Sequence, residues 1–386
     1  MTMNVRDFGA KGDGVADDSL AILNAIDATI GIRPPGPPIR TNIPHASLYF
    51  PAGVYNTTES LTIRSVQGFH LIGDGPDLTV IRVAAGRSLT SVLEIDGSEN
   101  SIFEGFSVSS EPNGFADKML YLHWSGSNLV QRSTSNNNFR NVNVGGQYRT
   151  AFAIGTELSD ASKQCDGSIF EDCIVTGGWS LGETQGWQNG WEIGNGTHSN
   201  NLDHYLYGCS WSGVRYGLRI NASNAILYGS QPGGAEVDIF ITGSAHPIVI
   251  DGLRSEASSR LLAHGGGAAD CHVSLRNVLW NAEQLNSDGL WIVRNTSGAL
   301  VLENVVCLNP PAGVTPKIQV DSAGGNLVSC VATGVASPTP VEEAFSLGTG
   351  AFLTINNYHQ FDSNSIIQKI TPLRMMHGPT LLFHVP

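Results

Sequence analysis

Carboxylates, guanidinium groups and indole rings gather in one stretch of this chain. Residues 176–190, TGGWSLGETQGWQNG, carry Trp179, Glu183 and Trp187, and residues 209–216, CSWSGVRY, carry Trp211, Arg215 and Tyr216. Glu236 and Glu256 fall in the next two connecting stretches. Sugars stack on exposed aromatic faces while carboxylates and Arg bind their hydroxyls, so this mixture suits a glycan. Cleaving a glycosidic bond takes two carboxyl groups, one protonated as general acid, the other acting as nucleophile or as base for water. The expected pair is Glu192 and Asp238 with Arg219 between them, and Glu183, Glu236 or Glu256 can lean in from above. Arg260 and His264 join Arg219 and the three Trp residues 179, 187 and 211 as expected substrate contacts. The competing reading is plain: Glu192, Arg219, Asp238 and Arg260 also make a neutralised surface charge ladder, and the Trp residues also make loop cores.

The elements that position these groups are repeats. Between about residue 100 and residue 357 an apolar strand, then Asn or Gly, then another apolar strand recurs, at IFEGFSV, FRNVNV, FEDCIV, YLYGCSW, ILYGS, VIDGL, SLRNVLW, VLENVVC, LVSCVA and TINNYH, with an earlier copy in FHLIGDG. The central residues are Gly73, Gly105, Asn141, Asp172, Gly208, Gly229, Gly252, Asn277, Asn304, Cys330 and Asn357. The later intervals are 21, 23, 25, 27, 26 and 27 residues, the earlier ones 31 to 36. A strand-rich period of about 25 is a β-solenoid pattern. Gly and Asn suit the turn because it needs positive φ.

Each unit has a further alternating strand: VLEID, MLYLH, AFAIG, GWEIG, GLRIN, DIFIT, RLLAH, LWIVR, KIQVD and AFSLG. With period two, Leu93, Leu120, Phe152, Trp191, Leu218, Ile239, Leu261, Trp291, Ile318 and Phe345 face inward. Glu94, Tyr121, Ala153, Glu192, Arg219, Phe240, Leu262, Ile292, Gln319 and Ser346 then face outward. Two flanking outward columns hold Asp238, Arg260 and Lys317, and His123, Asn221, His264 and Arg294. Adjacent strands lie about 4.8 Å apart, so outward groups one to three coils apart fall within about 5 to 14 Å of one another.

The opening NVRDFGAKGDGVADDSLAILNAIDA, with SLYFPAGVYNTTESLTI and FHLIGDGPDLTVIR after it, closely resembles the N-terminal signature of the pectate lyase superfamily. That resemblance implies a right-handed parallel β-helix of about ten coils with three strands each. It also implies a substrate groove along the first strand of each coil, which places Glu192 and Arg219 in the groove and makes the preceding loops its walls. Asp17 or Asp18 can cap a helix whose Leu20, Leu23, Ile26 and Ile30 share one face. Such a helix would cover the open edge of the solenoid. The expected organisation is one body: residues 1–60 as cap and first strands, 61–357 as coils, 358–386 as C-terminal cap or tail. Resemblance to spike-like relatives also suggests a homotrimer.

The superfamily spans several reactions. A lyase or epimerase abstracts the proton α to a uronate carboxyl, for which Arg219, Arg260, His264 and Tyr216 are available. YGLRIN, residues 216–221, keeps the Tyr and Gly of an epimerase YGxDPH motif without its Asp or His, and the polygalacturonase NTD, DD, GHG and RIK motifs are absent. Neither subfamily assignment follows, and the expected activity is glycoside hydrolysis of a polysaccharide without a cofactor or metal. The alternatives are a polysaccharide lyase, an intramolecular glycosyl (fructosyl) transferase, and a non-catalytic glycan-binding tailspike or adhesin.

Bulk composition agrees. Of 386 residues 45 are Gly and only 14% are charged, which excludes a solvated helical bundle, while 41% apolar content excludes general disorder. A net charge of −13 gives no basic footprint for nucleic acid and disfavours an anionic membrane surface. The start MTMNVRDFGAKGDG lacks the basic and apolar regions of a signal peptide. Six Cys without CxxC or zinc spacing read as small buried thiols.

Overall fold

The computed structural model describes residues 2–31, 47–125, 133–156, 164–178, 188–194, 201–221, 223–243, 246–264, 271–295, 298–321, 328–348, 351–360, 368–370 and 373–376. The chain winds as a right-handed parallel β-helix with three strands per coil, each paired in parallel with its counterpart one coil on. We call the three faces A, B and C. Sheet A runs from Leu61–Gln67 through Ser88–Glu99, Phe115–His123, Tyr148–Ile154 and Asn189–Ile193 to Phe345–Leu347. Sheet B runs from Thr2–Asn4 to Ala351–Gln360, and sheet C begins with Asp13–Asp17 and Gly53–Thr57. In Ser210–Asn221 and Gly233–Gly243 one continuous strand carries the chain from sheet C round into sheet A.

Stacking like residues on like residues fills the interior. On sheet A the inward column is Leu93, Leu120, Phe152, Trp191, Leu218 and Ile239, all buried, with Phe152 and Trp191 stacked at 4.9 Å. On sheet B, Phe103, Phe139 and Phe170 continue it with centroids 4.9 and 5.0 Å apart. Each such side chain contributes roughly 1.5–3 kcal/mol by leaving water. All six cysteines are buried and free of disulfides.

The turn between sheets B and C is where positive φ is required. Gly105, Gly208, Gly229, Gly252, Asn141, Asp172, Asn277 and Asn304 all adopt it. In the coil assigned to Cys330 the turn residue is instead Gly334, at φ 67°, while Cys330 pairs with Leu300 and is buried. Gly73 and Asn357 are not among the positive-φ residues either. Asn277 and Asn304 bond through side chains: Asn277 Nδ2 donates to Asp251 Oδ1 at 2.8 Å and Asn304 Nδ2 to Asn277 Oδ1 at 3.2 Å. Asn277→Val forces a β-branched residue to φ 51° and removes both bonds. A loss of about 1–2 kcal/mol is expected from the backbone strain, read by thermal unfolding, with Asn277→Gly closer to wild type.

The helix Ser19–Ile30 forms with Asp18 at its N-cap. Its buried face is Ile22, Ala25, Ile26 and Thr29, lying against the first strands, whereas Leu20 is exposed. Of the expected face Ile26 is buried and Leu23 and Ile30 pack partly buried against the core, so only Leu20 departs, its place being taken by Ile22. At the other end, Ala351–Gln360 pairs antiparallel with Gln368–Ile370 and Leu373–Met376.

Candidate functional site

Strict alternation fails at the corner where each coil enters sheet A. There two successive residues turn inward: Val92 and Leu93, Met119 and Leu120, Ala151 and Phe152, Gly190 and Trp191, Gly217 and Leu218, Asp238 and Ile239, all buried. The paired rows skip this extra residue, running Asn189↔Tyr216↔Val237 and then Trp191↔Leu218↔Ile239. A corner must bend the strand, and one additional residue supplies the bend.

Asp238 occupies that extra position, so the expectation that it points outward is corrected. Its carboxyl is enclosed, accepting from Trp211 Nε1 at 2.9 Å, Ser255 Oγ at 2.5 Å and Ser258 Oγ at 2.9 Å. Burial pushes it up to about 6, against the opposing pull of these hydrogen bonds. Trp211, expected to meet substrate, is likewise buried, since it lies in phase with inward Val175 on sheet C. Its indole lies over Gly217, where an added Cβ would stand 2.1 Å from Trp211 Nε1. Only glycine fits that corner.

A second register difference moves His264. Ile239 pairs with Leu262 and Ile241 with His264, so the strand sits one residue later than alternation alone suggests. Leu261 and Trp291, expected inward, do stay buried, at the extra corner position, and the residues that follow them exchange faces. Leu262 and Ile292 therefore face inward and Ala263 and Val293 outward, the latter after a bulge between Leu290 and Ile292. His264 and Arg294, expected outward, are buried with Arg294 Nη1 2.7 Å from His264 Nδ1. Burial, then the Arg294 charge, holds the His264 imidazole down at about 3.

Glu192 and Arg219 do face outward from sheet A and meet. Arg219 Nη1 donates to Glu192 Oε1 at 3.0 Å, while Thr150 Oγ1 and Asn189 Nδ2 donate to Oε2 at 2.9 and 3.2 Å. The Glu192 side chain retains 14% exposure and that of Arg219 29%. Arg219 Nε has no hydrogen-bond partner among the described residues. Beside this pair the rings of Tyr216 and Phe240 stack at 4.3 Å, and Arg215 lies over Tyr216 while bonding Glu236 at 2.7 Å. Burial raises the Tyr216 phenol above its ordinary value. Arg260 sits at the edge of the face, ion-paired with Asp288. Trp179, Glu183 and Trp187 lie outside the described residues, but the ends of their segment are fixed next to Asn189. Gly178 N donates to Gln188 Oε1 at 2.6 Å and Gln188 Nε2 to Gly146 O at 3.1 Å.

Earlier coils of the same face carry a second polar cluster that the sequence reading did not assemble. His123 Nε2 lies 2.9 Å from Glu94 Oε1, and Arg64 reaches Glu94 and Asp96 at 3.5 Å each. The His123 hydrogen bond is the chief reason the Glu94 carboxyl sits below its ordinary value. Glu94, Asp96 and His123 converge as metal ligands would, with donor atoms within 4.8 Å of one another. Arg64 supplies one positive charge beside the two carboxylates. On the strand that carries His123, Lys118 bonds Asp117 at 2.9 Å and lies over Tyr121 at 4.7 Å, and Arg149 of the next coil joins Asp117 at 3.2 Å. Away from sheet A, a cavity of about 330 Å³ opens between Ser212, Gln231, Gly233, Arg254 and Glu256.

The profile of a family described as Rhamnogalacturonase A/epimerase, pectate lyase-like, matches residues 2–228. A glucan 1,3-beta-glucosidase of Cochliobolus carbonum is 28% identical over 336 residues, covering 84% of this chain and 38% of that protein. Mannuronan C5-epimerase AlgE2 of Azotobacter vinelandii is 35% identical over 113 residues, covering 27% of this chain and 10% of that protein. The chain thus spans well under half the length of these curated relatives. Among solved structures, the N-terminal fragment of bacteriophage phi29 gene product 12 superposes with a TM-score of 0.53 at 15% identity, covering 91% of this chain and 62% of that one, a likeness of fold.

Proposed function

The chain belongs to the rhamnogalacturonase A/epimerase, pectate lyase-like family, and on that premise we propose that it is a polysaccharide-degrading glycosidase whose substrate lies along sheet A over Glu192. The observation that carries this reading is Glu192 itself: an outward, partly exposed carboxyl held by Thr150, Asn189 and Arg219 beside a stacked Tyr216 and Phe240. Three fixed donors leave it the acceptor role, that of nucleophile or of base for water, and Arg219 orients sugar hydroxyls next to it. Phe240, partly exposed and backed by the buried Tyr216, supplies an apolar wall for a sugar ring. Glu183, on the segment anchored at Gly178 and Gln188, is proposed as the second carboxyl. Asp238 is withdrawn from that role because it is enclosed behind Trp211. The relative named as a glucan 1,3-beta-glucosidase supports hydrolysis of a glycosidic bond.

A second reading has its own observation. Lys118, Tyr121 and His123 lie on one strand of the same face, with Tyr121 and His123 stacked at 4.1 Å, and proton abstraction α to a uronate uses such residues. A polysaccharide panel separates the readings. New reducing ends alone mean hydrolysis, reducing ends with near-ultraviolet absorbance mean a lyase, and epimerisation changes neither while altering uronate composition. Binding without any of these changes means a glycan-binding spike, and cyclic products detected by mass mean an intramolecular transferase. Hydrolysis is the expected result.

A further inference from the structure

We infer that the face of sheet A around Glu192 selects a neutral glycan and discriminates against chains that carry uronate carboxylates. This rests on the glycosidase reading of the same face. The argument is electrostatic. Arg219 closes on Glu192 at 3.0 Å, Arg215 on Glu236 at 2.7 Å, and Arg260 on Asp288. Lys118 and Arg149 share Asp117 at 2.9 and 3.2 Å, and Arg64 is shared between Glu94 and Asp96 at 3.5 Å. Among the described residues, the three guanidinium groups nearest Glu192 thus each close on one carboxylate, while farther along the face Asp117 takes two cations and Arg64 two carboxylates, so that these pairs balance in total formal charge.

A uronate brought onto such a face must either break one of these pairs or shed its water beside an existing carboxylate. Both are costly, because an anion stripped of solvent needs a partner that is not already neutralised. The net charge of −13 adds repulsion at longer range. A hydroxyl group meets no such obstacle. It donates to the acceptor site of Glu192 left by Thr150, Asn189 and Arg219, and accepts from Arg219 while the pair stays closed, since a carboxylate offers about four acceptor sites and a guanidinium five donors.

The test uses matched pairs of oligosaccharides that differ only in the C6 carboxyl: β-1,3-glucan oligomers before and after oxidation at C6, and oligogalacturonate before and after carboxyl reduction. Binding of each to the full chain is measured by titration calorimetry. The neutral member of at least one pair is expected to bind more tightly than its acidic partner by about tenfold or more. Glu192→Gln removes the counter-charge of Arg219 and is expected to shift that ratio towards the acidic member. Equal or tighter binding of the acidic members, an unchanged ratio in Glu192→Gln, or no binding within any pair would overturn the inference. Selective binding of neutral members without cleavage would instead refute the glycosidase reading and leave this selectivity standing.

Discussion

Glu192→Gln should lower kcat on the cleaved polysaccharide by about a thousandfold, within the range that a positioned acid or base contributes. The substitution keeps the shape and one acceptor oxygen but replaces the other by an NH₂ group. Thr150 and Asn189 donate to one oxygen of Glu192 and Arg219 to the other. Either way the amide turns, one set of donors faces a donor. The resulting loss of stability is expected to be about 1–2 kcal/mol, small enough to leave a folded protein that still binds substrate. A fall in kcat with KM nearly unchanged is the signature of a group that acts on the reacting atoms. Retention of full activity by a folded Glu192→Gln would remove Glu192 from the mechanism.

The second large effect concerns stability, at Asp238. Its carboxyl rises from an ordinary 3.8 to about 6 in the fold because it is buried. Below about pH 4 the side chain is protonated in both folded and unfolded chains, and its burial costs nothing through ionisation. As pH rises from about 4 to about 6 the unfolded chain releases the proton while the fold retains it, so stability is lost across that window and the penalty is constant above it. Two units correspond to about 3 kcal/mol. Asp238→Asn removes the ionisation while its amide still accepts from Trp211 and pairs with the rotatable hydroxyls of Ser255 and Ser258. Urea unfolding of the two proteins between pH 4 and pH 7 should show the variant gaining on wild type by about that amount. Parallel pH profiles would mean that Asp238 is not kept protonated by its surroundings.

Much of the fold could be read from spacing, because every coil repeats the same steric demand. Asn141, Asn277, Asn304, Gly105, Gly208, Gly229 and Gly252 each declare positive φ by residue type, and a family profile matches residues 2–228. What spacing did not carry was the corner. Gly190 and Gly217 stand at the extra inward position, yet nothing local distinguishes such a glycine from one in a loop. The residue at the same position one coil later, Asp238, consequently read as a surface carboxylate. His264 was misplaced by the same physics, a single-residue shift that leaves composition untouched while exchanging faces.

The site was half legible for a related reason. Glu192 and Arg219 lie at the same step of consecutive strands, so alternation aligned them correctly. Thr150 and Asn189, which complete the grip on Glu192, lie across the corner, where counting by twos breaks down. The cluster of Arg64, Glu94, Asp96 and His123 is drawn from three coils separated by roughly thirty residues each, and only stacking brings it together. A signal was present in retrospect: each of those residues falls at an outward-facing or strand-end step of sheet A.

The most direct measurement is a structure of the Glu192→Gln protein with a bound neutral oligosaccharide. The account predicts sugar hydroxyls within hydrogen-bonding distance of residue 192 and Arg219, with one ring against Tyr216 and Phe240. An oligosaccharide held instead in the cavity between Ser212, Gly233 and Glu256, with sheet A empty, would contradict it.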